Sequence, residues 1–287
     1  MTLIADSGST KTAWCLIGDR QHIFYTQGIN PFQQTEEEIC TMLKKELLPQ
    51  LSTPNSQPSN LGNIYFYGAG CTKEKAPVVA RALQNAICPN AAISVESDML
   101  GAARSVCGNQ PGIVCILGTG SNSCYYDGTT LHAGNPALGY ILGDEGSGAY
   151  IGKRLVGDIL KKQMPSDIQQ LFFQETGETQ ENIIQKVYRE PLPNRFLASL
   201  SPFCARHREH PAIHSFLIDC FSQFFQRNII GVNWPTGETL PAIHFVGSIA
   251  HHYQEELRKA ADLHGLKIGS ITQSPLAGLA AFHHPQT

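Results

Sequence analysis

Five short stretches carry residue types that do chemistry. The first is Asp6-Ser7-Gly8-Ser9-Thr10-Lys11-Thr12. Glycine lets a backbone approach a ligand closely, and a turn whose N–H groups converge forms an anion nest. Lys11 and Thr12 follow that turn within reach of phosphate oxygens, and Asp6, ending a strand, suits Mg²⁺ held through water. The second, Gly118-Thr119-Gly120-Ser121-Asn122, repeats the glycine and hydroxyl pattern 112 residues later. Two such turns facing one another would grip a polyphosphate from both sides, whereas each alone also reads as an ordinary hairpin turn. Neither matches GxxxxGK[ST] or GxGxxG. The third stretch is Glu96-Ser97-Asp98, where a strand hands over to a helix. An aspartate there accepts a proton from a substrate hydroxyl, or serves as a plain first-turn acid on the helix dipole. The fourth, Gly139 to Gly148, holds four glycines in ten residues around Asp144-Glu145. Ordering so much glycine costs entropy, which favours a binding loop whose acids face hydroxyl groups or stay as first-turn acids of the following helix. The fifth, Phe245-Val246-Gly247-Ser248-Ile249-Ala250, runs a strand into a helix through a Gly-Ser step.

The elements that must hold these stretches follow from periodicity and punctuation. Strands are expected at 2–6, 12–18 and 21–28, then a helix at 36–50 opened by a Thr35/Glu38 capping box. A strand at 64–68, a helix at 72–87, a strand at 92–95 and a helix at 98–106 complete a β-β-β-α-β-α-β-α half. The pattern restarts at Gly112 with strands at 112–118, 121–127 and 129–133, the last two joined by an Asp127-Gly128 turn. A helix-rich stretch spans 144–234, and its apolar run 213–232 is interrupted by Asp219, Gln223, Gln226, Arg227 and Asn228, marking a core helix. Strand 242–246, helix 248–264, strand 267–271 and helix 275–283 finish the chain. Two halves that open alike imply an internal duplication, with ligand bound between them.

Composition narrows the function classes. The 287 residues are 42% hydrophobic, enough to build a core in each of two domains. Lys and Arg number 21 against 24 Asp and Glu, so no basic excess exists to hold nucleic acid or an anionic membrane. No leader-like segment opens the sequence and no apolar run reaches about 18 residues, so a cytoplasmic protein is expected. The nine cysteines are odd in number and form no CxxC pair, and they read as buried free thiols. His207, His210 and His214 have helical spacing, but Pro211 interrupts them and no cysteine or acid pair completes a metal site.

Taken in order, these stretches resemble the sugar kinase/Hsp70/actin superfamily, and within it the N-acetylglucosamine kinases of the BadF/BadG/BcrA/BcrD-like ATPase family. The segment from Ser7 to Thr12, with Gly8, Ser9, Thr10 and Lys11, looks like the first phosphate motif. Gly118-Thr119-Gly120 looks like the second and Gly247-Ser248 like the adenosine motif. Ser274 to Ala281 looks like the helix that closes the fold. The resemblance implies an α/β protein of two ribonuclease H-like (actin-like ATPase) domains with an interdomain cleft. They would span 1–111, with 275–287 packing back on it, and 112–274 with a helical insertion. It further implies Asn30, Ser121, Asn122, Gly139 and Asp144 as sugar ligands, Asp98 as general base, and Asp6 as the residue toward Mg²⁺. The reaction implied is transfer of the γ-phosphoryl group of ATP to the 6-hydroxyl of N-acetylglucosamine by a homodimer. Pro31-Phe32 after Asn30 departs from the family pattern and brings in glucosamine and N-acetylmuramate as alternative substrates. The alternative from another class is an ATPase activator of the 2-hydroxyacyl-CoA dehydratase type, which would need cysteine ligands for an iron–sulfur cluster.

Overall fold

Leu3-Ile4-Ala5 and Trp14-Cys15-Leu16-Ile17 are buried along consecutive positions. Strands of that kind are covered on both faces, so helices must lie on each side of their sheet. In the computed structural model, which describes residues 1–8, 10–18, 20–52, 58–236 and 240–284, that is what they do. The chain divides into two units, one of residues 1–109 with the chain from Ser274 onward, the other Gln110–Gln273.

The first unit begins with β1 (Thr2–Ser7), β2 (Lys11–Ile17) and β3 (Gln21–Gln27). Next come α1 (Glu36–Met42), a π-helical turn at Leu43–Leu47 and α2 (Leu48–Leu51). The unit continues with β4 (Asn63–Gly68), α3 (Ala76–Ala86), β5 (Ala92–Ser97) and α4 (Asp98–Cys107). Its sheet runs β3-β2-β1-β4-β5, with β1, β4 and β5 parallel and the first three strands antiparallel. One face carries Leu3, Ala5, Trp14 and Phe66 against Ile39, Leu43, Leu47, Val79 and Leu83 of the α1–α3 layer. The other face carries Ile4, Ala13, Cys15 and Tyr67 against Leu276, Leu279 and Ala280.

The second unit repeats the plan. Here β6 (Gly112–Leu117), β7 (Ser121–Tyr126) and β8 (Leu131–Ala133) lead into α5 (Gly139–Leu142) and α6 (Gly148–Leu160). The helical stretch continues with α7 (Ser166–Thr176), α8 (Gln180–Tyr188), α9 (Pro193–Arg206) and α10 (Pro211–Asn228). Then follow β9 (Ile243–Val246), α11 (Ser248–His252), α12 (Gln254–Leu263) and β10 (Ile268–Thr272). The sheet order β10-β9-β6-β7-β8 is that of the first sheet, element for element. The chain returns to the first unit as α13 (Leu276–His283). Among the described residues no helix is long and apolar enough to cross a membrane.

Most expected elements stand within a residue or two of their expected bounds, and each difference has a physical cause. The Thr35/Glu38 capping box is present, but the expected 36–50 helix changes to π geometry before Pro49, which has no N–H to give the preceding turn. The helix expected from residue 72 starts at Ala76, because Pro77 is tolerated only in a first turn. Thr129 and Thr130 donate their N–H groups to the Asp127 carboxylate, so β8 begins only at Leu131. The helix expected over 248–264 breaks at Tyr253, which is fully buried and donates its hydroxyl to the Ser201 carbonyl at 2.5 Å. All nine cysteines are free and eight are buried. His207, His210 and His214 each face a different carboxylate, Glu175, Asp167 and Glu256, and form no common site.

Candidate functional site

The parallel strands of the first unit bring their C-terminal ends into one row, Ser7 beside Gly68 and Gly68 beside Ser97. Ligands bind at such ends in open α/β sheets. Asp6 stands at the end of β1. Asp98 opens α4, where the Ser97 hydroxyl caps the helix by accepting from the Leu100 N–H at 3.2 Å. The Asp98 carboxylate accepts from the Met99 N–H at 2.9 Å. Burial still raises its pKa above the ordinary carboxylate range, against the lowering pull of the helix-start N–H groups. Burial also lifts Asp6 to about 7, with the charge of Asp98 adding to the effect. The Ser274 side chain, hydrogen bonded to Asp6, and the Lys11 charge pull it back down. Two carboxylates, Asp6 of β1 and Asp98 directly after β5, thus share one electrostatic environment on either side of β4.

The hairpin loop after β1 is closed by the Gly8 N–H donating to the Lys11 carbonyl at 3.0 Å. Gly8, Thr10 and Lys11 are exposed, while Ser9 lies outside the described residues. Ser7 and Thr12 flank this loop with their hydroxyls turned inward. Both are 0% exposed, their hydroxyls lie 2.7 Å apart, and they hold the Gln27 carbonyl and both backbone groups of Ile29. Their hydroxyls therefore fix the hairpin against the segment that carries Asn30. The Asn30 carbonyl accepts from Gln33 and Gln34, and its side-chain oxygen accepts from the Phe32 N–H at 3.0 Å. That oxygen lies 2.6 Å from where a Cβ on Gly70 would stand, and Gly70 has φ +77°. A glycine is therefore required where the β4 exit loop meets Asn30. The neighbouring Cys71 thiol is pushed up to about 12, by burial first and then by the charge of Asp98. The Gly68-Ala69-Gly70-Cys71 loop thus links Asn30 to Asp98, a role sequence reasoning missed. Two glycines at a parallel strand's C-terminal end were the available signal.

In the second unit the hairpin loop 118–120 is closed by the Gly118 N–H donating to the Gly120 carbonyl at 3.0 Å. It docks on the start of α6, where the Gly148 and Ala149 N–H groups donate to the carbonyls of Gly118 and Thr119. Gly247, with φ +126°, packs so tightly on the end of β6 that a Cβ there would lie 2.2 Å from the Leu117 carbonyl oxygen. Ser248 is exposed at the head of α11. Gly118-Thr119-Gly120 and Gly247-Ser248 thus meet at the ends of adjacent parallel strands. The strand pairing corrects the offset between the two hairpins. Leu117 pairs with Ser121 where Ser7 pairs with Thr12, so the strand ends correspond at 110 residues, not 112, and the first loop is one residue longer. Asp6 then corresponds to Ile116, and the carboxylate belongs to the first hairpin alone.

Asp144 adopts φ +58°, a left-handed conformation that Asp tolerates better than most residues. Its carboxylate accepts from the Ser121 N–H at 3.3 Å, and a Cβ on Gly120 would come within 3.0 Å of it. Burial raises the Asp144 pKa. Ser121, Asp144 and Glu145 line a cavity of about 260 Å³ with Leu138, Leu142 and Arg227. Asn122 is exposed and engaged with its neighbour Ser123. Gly139 is exposed, with φ +72°, and neither it nor Asn122 is on the cavity wall.

Among the described residues no three His, Cys, Asp or Glu side chains converge to enclose a metal ion. Mg²⁺ that travels with phosphate groups needs only one or two carboxylates from the protein. Asp6, recessed beside Asp98 and near one cation, Lys11, fits that requirement.

Comparison with known proteins gives no match to a family model and none to a curated protein. Among solved structures, a candidate N-acetylglucosamine kinase from Porphyromonas gingivalis is 48% identical over 99% of both chains, with a TM-score of 0.92. A candidate N-acetylglucosamine kinase from Chromobacterium violaceum is 18% identical over 98% of both chains, with a TM-score of 0.71. A ROK family glucokinase from Streptomyces griseus, solved with glucose and AMPPNP, is 12% identical over 98% of this chain and 97% of its own, with a TM-score of 0.52. These last two likenesses are of fold, two actin-like units.

Proposed function

Since this chain belongs to the N-acetylglucosamine kinase family of the sugar kinase/Hsp70/actin superfamily, we propose that it transfers the γ-phosphoryl group of ATP to the 6-hydroxyl of N-acetylglucosamine. The observation that carries the reading is the Asp98 carboxylate, recessed at the head of α4 and in electrostatic contact with Asp6 at the end of β1. The sugar hydroxyl attacks the γ-phosphorus, the bond from that phosphorus to the β-bridging oxygen breaks, and ADP leaves with its electrons. Asp98 orients the hydroxyl and takes its proton, and a carboxylate raised by burial is the better base for that step. The loops 8–11 and 118–120 meet phosphate oxygens with backbone N–H groups, which supports transition-state charge without reorganisation. Gly247 and Ser248 lie against the adenosine. Asp6 is the residue toward Mg²⁺, which when bound neutralises phosphate charge. Asn30, Ser121, Asn122, Gly139 and Asp144 face the sugar hydroxyls, Asn122 exposed on β7 and Gly139 exposed at the head of α5.

The test is ADP release with Mg-ATP over a panel of N-acetylglucosamine, glucosamine and N-acetylmuramate, with Asp98→Asn alongside. The reading expects turnover that depends on N-acetylglucosamine and is lost in Asp98→Asn. Steady ATP hydrolysis that no sugar stimulates and that survives the substitution would sink it. Faster turnover of another panel member would keep the kinase and replace the substrate.

A further inference from the structure

The Lys11 ammonium lies 4.2 Å above the centre of the Tyr25 ring. The strand pairing makes this contact systematic. Asp6 is opposite Ala13 and Ala13 is opposite Tyr25, so the three side chains form one row on one face of the sheet. Lys11 stands two residues before Ala13 on β2 and therefore points to the same face. The small side chain at Ala13 leaves the lysine stem room to lie across the row. Tyr25 is on the edge strand and 54% exposed, so its ring is not there to fill the core. Among the described residues the Tyr25 ring is the group on which the ammonium rests, and no carboxylate forms an ion pair with it.

A lysine side chain has a flexible four-carbon stem, and fixing it for a ligand costs conformational entropy. A group that holds it beforehand removes part of that cost from binding. We propose that Tyr25 is a positioning residue for the nucleotide, its ring holding the Lys11 ammonium at the foot of the first hairpin loop where a polyphosphate meets it. The proposal rests on the kinase reading, and it adds a residue that contacts no substrate.

The test is a double-mutant cycle on the affinity for Mg-AMPPNP, measured calorimetrically, with the KM for ATP and kcat on N-acetylglucosamine measured in parallel. Cation–π contacts at exposed sites have the strength to change affinity by about two- to fivefold. Tyr25→Leu is expected to weaken AMPPNP by that factor and to raise the KM for ATP alike, with kcat held. Tyr25→Phe keeps the ring face and is expected to restore wild-type affinity. Lys11→Met is expected to weaken AMPPNP more, and Tyr25→Leu to add nothing in its background. An equal loss from Tyr25→Leu with and without Lys11, a Tyr25→Phe loss as large as that of leucine, or no loss at all would overturn the proposal. If Lys11→Met leaves affinity intact, the proposal falls and the kinase reading stands. If the wild type binds no AMPPNP and phosphorylates no sugar, the kinase reading falls with it.

Discussion

The C-terminal helix is fastened to the rest of the first unit by a hydrogen-bond chain that ends on His283. Arg104 donates to the Tyr67 hydroxyl at 2.9 Å, and that hydroxyl lies 2.8 Å from His283 Nε2. With its oxygen accepting from the guanidinium, Tyr67 has its O–H free to donate to the imidazole, an arrangement that suits a neutral ring with Nε2 unprotonated. The ring also stacks on Tyr65, with centroids 3.6 Å apart. Burial, then the Arg104 charge, lowers the His283 pKa to about 4. The folded pKa lies below the unfolded one, so the unfolded chain binds the proton first. Stability is whole above roughly pH 6.5, the ordinary histidine value, and is lost as pH falls toward about 4. Because the ring is only half-buried and solvent screens part of the effect, the full loss is about 1–2 kcal/mol, more than half of it gone by pH 5. For a chain of this size that lowers the melting temperature by about 1–3 °C between pH 7.5 and 5. His283→Gln keeps an acceptor for Tyr67 and removes the titration. Calorimetric melting of wild type and variant over this range isolates the histidine, because every other titrating group is common to both. Equal slopes in the two proteins would refute the reasoning.

Two further outcomes follow from packing and from the sugar site. Gly278 brings α13 against α4 so closely that a Cβ would lie 2.2 Å from the Ser105 carbonyl oxygen. Gly278→Ala should therefore cost about 1–3 kcal/mol, read as a lower urea midpoint, and an unchanged midpoint would contradict the packing. Asp144→Asn keeps a residue that tolerates the left-handed conformation and removes only the charge. It should raise the KM for N-acetylglucosamine by about ten- to hundredfold with the melting temperature held, and an unaltered KM would remove Asp144 from the sugar site.

Features written in local sequence were legible. Hairpins at Gly8 and Gly118, the Thr35/Glu38 cap and the alternation of strands with helices need only neighbouring residues, and they stand where periodicity placed them. Features decided at a distance were not. The break at Tyr253 depends on a carbonyl 52 residues away, and the burial of the Ser7 and Thr12 hydroxyls depends on the return of the chain at Gln27 to Ile29. The tie between Asn30, Gly70, Cys71 and Asp98 arises because β4 lies between β1 and β5. The repeat offset was misread because matching glycine letters ignores which residues pair across the strands.

The most direct measurement is identification of the product. The protein is incubated with Mg-ATP and N-acetylglucosamine, and the sugar is analysed by phosphorus and carbon NMR, with Asp98→Asn in parallel. The account predicts a phosphate on the 6-oxygen, formed in step with ADP by the wild type and absent with Asp98→Asn. ADP accumulating beside unmodified sugar, or phosphate on a different hydroxyl, would contradict it.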